Sequence, residues 1–159
     1  MARPPPLDGA ESPPPKKLRG GHCELILGPM FSGKTTQLMQ RVQRSLLGGG
    51  QCAVVKYAGD TRYGAGPSLR THGGLALAAD EEGLEVFEAN ALGGLALRPQ
   101  AALVAVDEGQ FYADLPETVD LWMREGRSVV VAAIVAAVIQ AAHWRLSVAQ
   151  RAEEQRKVH

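Results

Sequence analysis

"ILGPMFSGKTTQL", residues 26–38, decides the fold. The short run "HCELIL" (22–27) leads into it and ends at Gly28, as a buried strand does. Gly28-Pro29-Met30-Phe31-Ser32-Gly33-Lys34-Thr35 then fits the pattern G-x-x-x-x-G-K-[ST]. The spacing has a mechanism. Glycines let backbone N–H groups curl around phosphate oxygens, and the helix that follows points its positive end at them. Lys34 is predicted to reach the terminal phosphates of a nucleotide, and Thr35 to ligate Mg²⁺. Leu38, Val42 and Leu46 repeat at helical spacing after the loop, and "GGG" (48–50) stops the helix. "CAVVKY" (52–57) is a second buried strand. Strand, loop, helix and strand predict a βαβ unit with parallel strands.

The same alternation continues downstream. "AALVAV" (101–106) is a strand that runs into Asp107. "DLPETVDLWMREG" (114–126) is a helix, with Asp114 as its cap, Glu117 three residues on as in a capping box, and Gly126 at its end. Val119, Trp122 and Met123 form its buried face. "SVVVAA" (128–133) is a further strand. Four strands alternating with helices predict an α/β fold, a parallel sheet flanked by helices. Between residues 58 and 100, "LALAA" and "LEVFEA" are weaker strand or helix candidates. Residues 1–20 hold six prolines and are expected to be disordered. Residues 21–133 form the expected domain. Residues 134–159 are a separate tail, expected to be helical, with Ile139, Ala142, Leu146 and Ala149 along one face.

Composition narrows the function. Lys+Arg and Asp+Glu both number 17 among 159 residues, so no nucleic acid or anionic membrane is called for as a partner. The apolar run from Val129 to Ala142 falls short of the roughly 20 residues of a membrane helix. The N-terminus lacks the apolar segment of a signal peptide. A cytoplasmic, soluble protein is expected. Cys23 and Cys52 are the only thiols, too few and too far apart for a zinc site of about four clustered ligands.

The second chemical signal is "LVAVDEGQF" (103–111). An acidic residue at the carboxyl end of a buried parallel strand is where a phosphate-loop protein holds Mg²⁺, and Asp107 stands there. Glu108 is placed to accept a proton from an attacking hydroxyl. The alternative for both is a solvated carboxylate pair at a strand end. In "KYAGDTRY" (56–63), Arg62 either reaches a phosphate or pairs with Asp60. Thr71-His72 has no partners that make it a site, and Trp122, Met123 and Trp144 are packing residues.

Taken together, "LGPMFSGKTTQLMQRVQR", "VVKYAGDTRY", "THGG", "VDEGQF" and "GRSVVVAA" resemble, in that order, the cytosolic-type thymidine kinases. The resemblance covers about Gly21 to Ala133. It implies transfer of the γ-phosphate of ATP to the 5′-hydroxyl of thymidine, with Mg²⁺ held at Thr35 and Asp107, in nucleotide salvage for DNA synthesis. It implies that Gly28 to Thr35 hold the ATP phosphates, and that Asp60, Thr61 and Arg62 lie near the nucleotide. Asp107, Glu108, Gly109 and Gln110 would line the site, with Glu108 as general base and Phe111 at the thymine pocket. Family members form homotetramers and carry a four-cysteine, zinc-bound lasso that closes over thymine. The segment after Ala133 departs from that pattern, so no zinc and slow thymidine turnover are expected. A catalytically silent ATP-binding isoform that associates with full-length subunits is the alternative. An unrelated ATPase with a helicase-type "DEGQ" box is a third reading, which "MFS" in the loop and "DTRY" oppose.

Overall fold

The structure, a computed structural model, describes residues 21–60, 68–70, 76–78 and 81–134. In chain order these form β1 (Cys23–Leu27), α1 (Lys34–Leu47), β2 (Gln51–Tyr57), β3 (Ser68–Arg70), β4 (Ala76–Ala78), β5 (Leu84–Ala89), β6 (Ala101–Val106), α2 (Leu115–Arg124) and β7 (Ser128–Ala133). Five strands make one sheet in the order β1-β7-β6-β2-β5. Every pairing in it is parallel. β3 and β4 form a separate antiparallel pair. The expected βαβ unit is present with one refinement: β1 and β2 are parallel members of one sheet, but β7 and β6 lie between them.

Both faces of the sheet are covered, and for this reason the strands read as unbroken apolar runs rather than as alternations. Side chains on a strand point alternately to opposite faces. Cys52, Val54, Ala105, Val130 and Ala132 pack with Leu38, Met39 and Val42 of α1. Ala53, Val55, Val104, Val106, Val129 and Val131 pack with Val119 and Trp122 of α2. One helix therefore seals each face, and all strand carboxyl ends open on one edge. An ion pair fixes α1 to the edge strand: Arg41 Nη2 lies 2.6 Å from Glu24 Oε1, with Nε at 3.1 Å. That contact holds the Glu24 carboxyl below its ordinary range. A second pair lies across the β2–β5 ladder, where the buried Lys56 meets Glu88 at 3.0 Å.

The cap predicted for α2 takes a different form. Asp114 sits at the N-cap position, but its side chain makes no capping bond. Its carboxylate accepts instead from the backbone N–H of Leu92 at 2.9 Å and of Gly93. Two amides in the connection before β6 outcompete the helix for it, and Pro116 in the first turn lowers the number of N–H groups that need a cap. "LEVFEA" resolves as β5, an edge strand paired with β2. Of "LALAA", β4 takes Ala76–Ala78. Residues 1–20, Thr61, Arg62, Thr71, His72 and the tail from 135 lie outside the described residues.

Two substitutions separate packing from polarity in the α2 core. Trp122 is buried against both β6 and β7 neighbours, and Trp122→Ala is expected to cost about 3–5 kcal/mol. Tyr112 is equally buried, but its hydroxyl has no hydrogen-bond partner among the described residues. Tyr112→Phe is therefore expected to be neutral or to stabilise by about 1 kcal/mol. Urea unfolding of the two variants checks this, and a loss of several kcal/mol in Tyr112→Phe would contradict it.

Candidate active site

The carboxyl edge of the sheet gathers the chemistry. β1 ends in the loop 28–33, which delivers the chain into α1, and β6 ends at Asp107. Because β1 and β6 are parallel and separated only by β7, the start of α1 faces the end of β6. The contact is direct. Thr35 Oγ1 donates to the Asp107 carboxylate, 3.1 Å from Oδ1 and 3.3 Å from Oδ2. The two are 72 residues apart in sequence. A hydroxyl and a carboxylate so placed are hard oxygen donors, the set that suits Mg²⁺ together with phosphate oxygens and water.

The loop is shaped for close approach. Gly33 at its end adopts φ +79°, and Phe31 also has positive φ, at 60°. Met30 and Phe31 point outward, largely exposed. Lys34 Nζ donates to the Pro29 carbonyl at 2.6 Å, across the mouth of the loop. The ammonium group is thus held over the loop from which it would reach a phosphate. The only other non-glycine residue of positive φ among the described residues is Glu108, at 52°. Left-handed backbone costs an L-residue roughly 1–2 kcal/mol, and such residues cluster at functional sites. Here both stand in the two motifs that the sequence singles out.

That turn at Glu108 bends the chain from β6 into a 3₁₀ turn, Gly109–Phe111. Gly109 is wedged against β7: a Cβ there would lie 2.4 Å from Val131 Cγ1. Gln110 donates through Nε2 to Glu108 Oε2, and its Oε1 accepts from the N–H of Ile134 at 3.2 Å. Phe111, half exposed, stacks on Tyr57 with ring centroids 4.7 Å apart. Tyr57 meets Tyr112 edge to face at 5.7 Å. Asp60 follows β2 by three residues, and its N–H donates to the Tyr57 carbonyl at 3.1 Å.

The structure thus brings Thr35, Lys34, Asp107, Glu108, Gly109, Gln110 and Phe111 to one edge. Two participants were not singled out in sequence: Tyr57 under Phe111, and Ile134 as the partner of Gln110. Tyr57 ends β2, the strand paired with the one that delivers Asp107, an adjacency that only the folded sheet reveals. No group of three or more His, Cys, Asp or Glu able to hold a metal ion occurs among the described residues. No described helix is long and apolar enough to cross a membrane.

A family model for thymidine kinase matches residues 21–142. The chain belongs to the thymidine kinase family. It is 40% identical over 118 residues to the thymidine kinase of Variola virus (isolate Human/India/Ind3/1967), covering 74% of this chain and 62% of that protein. It is equally similar to the thymidine kinase of Vaccinia virus (strain Ankara) over the same shares. Against the cytosolic thymidine kinase of Cricetulus griseus it is 40% identical over 121 residues, 76% of this chain and 47% of the relative. The chain therefore spans less than two thirds of the length of these relatives. The family is one of kinases, transferases of phosphate, and its α/β sheet is the one seen here.

Burial pushes the Asp107 carboxyl from an ordinary 3.8 up to about 6; the Glu108 carboxylate beside it adds to the rise, and the Thr35 hydroxyl opposes it. Between about pH 4 and pH 6 the native state therefore keeps a proton that the unfolded chain has lost. Stability falls as pH rises through this window, and the charged carboxylate carries its full cost above it. A rise of about two units corresponds to about 3 kcal/mol. Asp107→Asn is expected to exceed the parent protein in stability at pH 7 by up to this amount, and to match it below pH 4. Denaturant unfolding in the absence of nucleotide, repeated from pH 3.5 to 7.5, measures the difference; a gap independent of pH would contradict it.

Proposed function

We propose that this chain binds Mg·ATP at Gly28 to Thr35 and transfers the γ-phosphate to the 5′-hydroxyl of thymidine. The observation that carries the reading is the hydrogen bond of Thr35 to Asp107, which joins the loop to the acidic motif. Backbone N–H groups of Gly28, Pro29 excepted, through Thr35 would wrap the phosphates, with Lys34 moving from the Pro29 carbonyl to the terminal phosphate oxygens. When bound, Mg²⁺ would neutralise charge on the phosphates from the oxygens of Thr35 and Asp107. Glu108 would take the proton from the 5′-hydroxyl as its oxygen bonds to the γ-phosphorus and the bond to ADP breaks. Asp60, Thr61 and Arg62 would lie along the nucleotide, and Phe111, backed by Tyr57, would offer a ring face to thymine. The cytosolic relative from Cricetulus griseus supports a cytoplasmic setting.

Phosphoryl transfer leaves little covalent work to the protein; positioning and charge dominate. A general base supplies roughly 10²- to 10⁴-fold, whereas holding the acceptor in line is worth about 7–11 kcal/mol. The loop and the acidic motif proposed to hold Mg·ATP are joined by the Thr35–Asp107 bond, and the proposed acceptor side offers Glu108 and Phe111. We therefore infer Mg·ATP binding as the stronger property and thymidine turnover as the weaker. An ATP-binding chain that works through association with full-length subunits is the outcome in which turnover vanishes altogether.

The expected result with purified chain is thymidine-dependent release of ADP. Lys34→Ala is expected to weaken Mg·ATP binding by about 1.5–3 kcal/mol, the worth of a charge-assisted contact. Glu108→Gln is expected to lower turnover roughly 10²- to 10⁴-fold and leave ATP affinity nearly intact. Calorimetry and labelled-thymidine assays read the two. Equal ATP affinity for the parent protein and Lys34→Ala would overturn the assignment of the loop.

A further inference from the structure

Gln110 carries a role beyond lining the site. It lies on the 3₁₀ turn after the acidic pair, and Ile134 is the first residue past β7. Its side chain spans the gap between them, donating from Nε2 to the Glu108 carboxylate and accepting at Oε1 from the Ile134 N–H at 3.2 Å. The two ends make opposite demands. A carboxylate only accepts and a backbone N–H only donates, so the group between them must offer one donor and one acceptor. A primary amide does so, and a carboxylate or an alkyl group of the same length does not. Glu108 itself stands on left-handed backbone, where the direction of its side chain depends on the turn that follows. Gly109, the link between the two residues, is pressed on Val131 of β7 and allows little adjustment.

We propose that Gln110 is a positioning residue: it tethers the Glu108 carboxylate to the outgoing end of β7, so that the course of the chain beyond Ala133 is felt at that carboxylate. The catalytic consequence rests on the reading of Glu108 as general base; the tether does not. Placement of the base would then be tied to the point where β7 hands the chain on, and a change in the segment after Ala133 would reach the reacting hydroxyl without touching nucleotide.

The test uses the full chain labelled for NMR, with Gln110→Ala, Gln110→Glu and Glu108→Ala, each checked for a cooperative melt. In Gln110→Ala, exchange of the Ile134 amide is expected to quicken by about tenfold or more, as a local hydrogen bond opens. Gln110→Glu keeps an acceptor for Ile134 and is expected to retain its protection. Glu108→Ala, which leaves Gln110 in place, is expected to shift the Gln110 side-chain amide resonances. In thymidine turnover, Gln110→Ala is expected to lower kcat roughly ten- to a hundredfold, a typical loss for a misplaced group. KM for ATP should stay within about twofold, because uniform binding is untouched. Gln110→Glu should not restore kcat, since the donor to Glu108 is gone. Unchanged Ile134 exchange in Gln110→Ala, or unmoved Gln110 resonances in Glu108→Ala, would overturn the tether. A kcat equal to the parent's in Gln110→Ala would overturn the positioning role. A parent protein that never phosphorylates thymidine, yet shows both NMR responses, would support the tether and count against the thymidine reading instead.

Discussion

The hydrogen bond from Thr35 to Asp107 is the contact on which the site depends. It is made across 72 residues of sequence, between the first turn of α1 and the end of β6. Nothing local enforces it. It exists because β1 and β6 run parallel with one strand between them, so that what leaves β1 through the loop returns over the end of β6. Asp107 is buried, and a buried carboxylate is costly unless partnered. The threonine hydroxyl offsets part of that cost, and the raised affinity of Asp107 for a proton records the part it does not. A divalent cation held by the same two oxygens would meet this need more fully, so the cost of the buried carboxylate and the proposed ligand have one origin.

The remainder of the site follows from the same edge. The left-handed backbone at Glu108 follows directly on β6, a strand packed between helices on both faces. The rigid part of the molecule is the sheet; loop, acidic turn and aromatic stack are carried at its carboxyl ends, where parallel α/β sheets bind their ligands. Stability and function draw on different residues. Val54, Val104, Val129 and Trp122 hold the scaffold, while Asp107 carries a buried charge that the scaffold would be more stable without.

Much of this was readable in the sequence, for identifiable reasons. β2, β6 and β7 are largely buried between the helices, so each appears as an apolar run bounded by glycine, charge or turn residues, and β1 was marked by the glycine loop that follows it. The loop signal was strong because its residue types are set by backbone geometry, not by distant neighbours. What escaped depended on contacts remote in sequence. Asp114 looked like a helix cap, a local role, but the amides of Leu92 and Gly93 come close only in the folded chain. β5 was ambiguous because an edge strand of six residues with Glu85 and Glu88 lacks the apolar run of its central neighbours. The strand order, with β7 and β6 placed between β1 and β2, has no signature in either segment alone. The pairing of Gln110 with Ile134 was equally unreadable, since a glutamine after an acidic pair fits a solvent-facing residue as well as a tether.

A double-mutant cycle on Mg·ATP affinity tests the central claim most directly. Thr35→Val, Asp107→Asn and the double variant are titrated with a slowly hydrolysed ATP analogue and Mg²⁺ by calorimetry. If the two residues form one Mg²⁺-holding unit, either single change removes most of the effect, and the double variant loses less than the sum by about 1–3 kcal/mol. Losses that add within about 0.5 kcal/mol would mean that Thr35 and Asp107 act independently on the nucleotide, and would contradict the account.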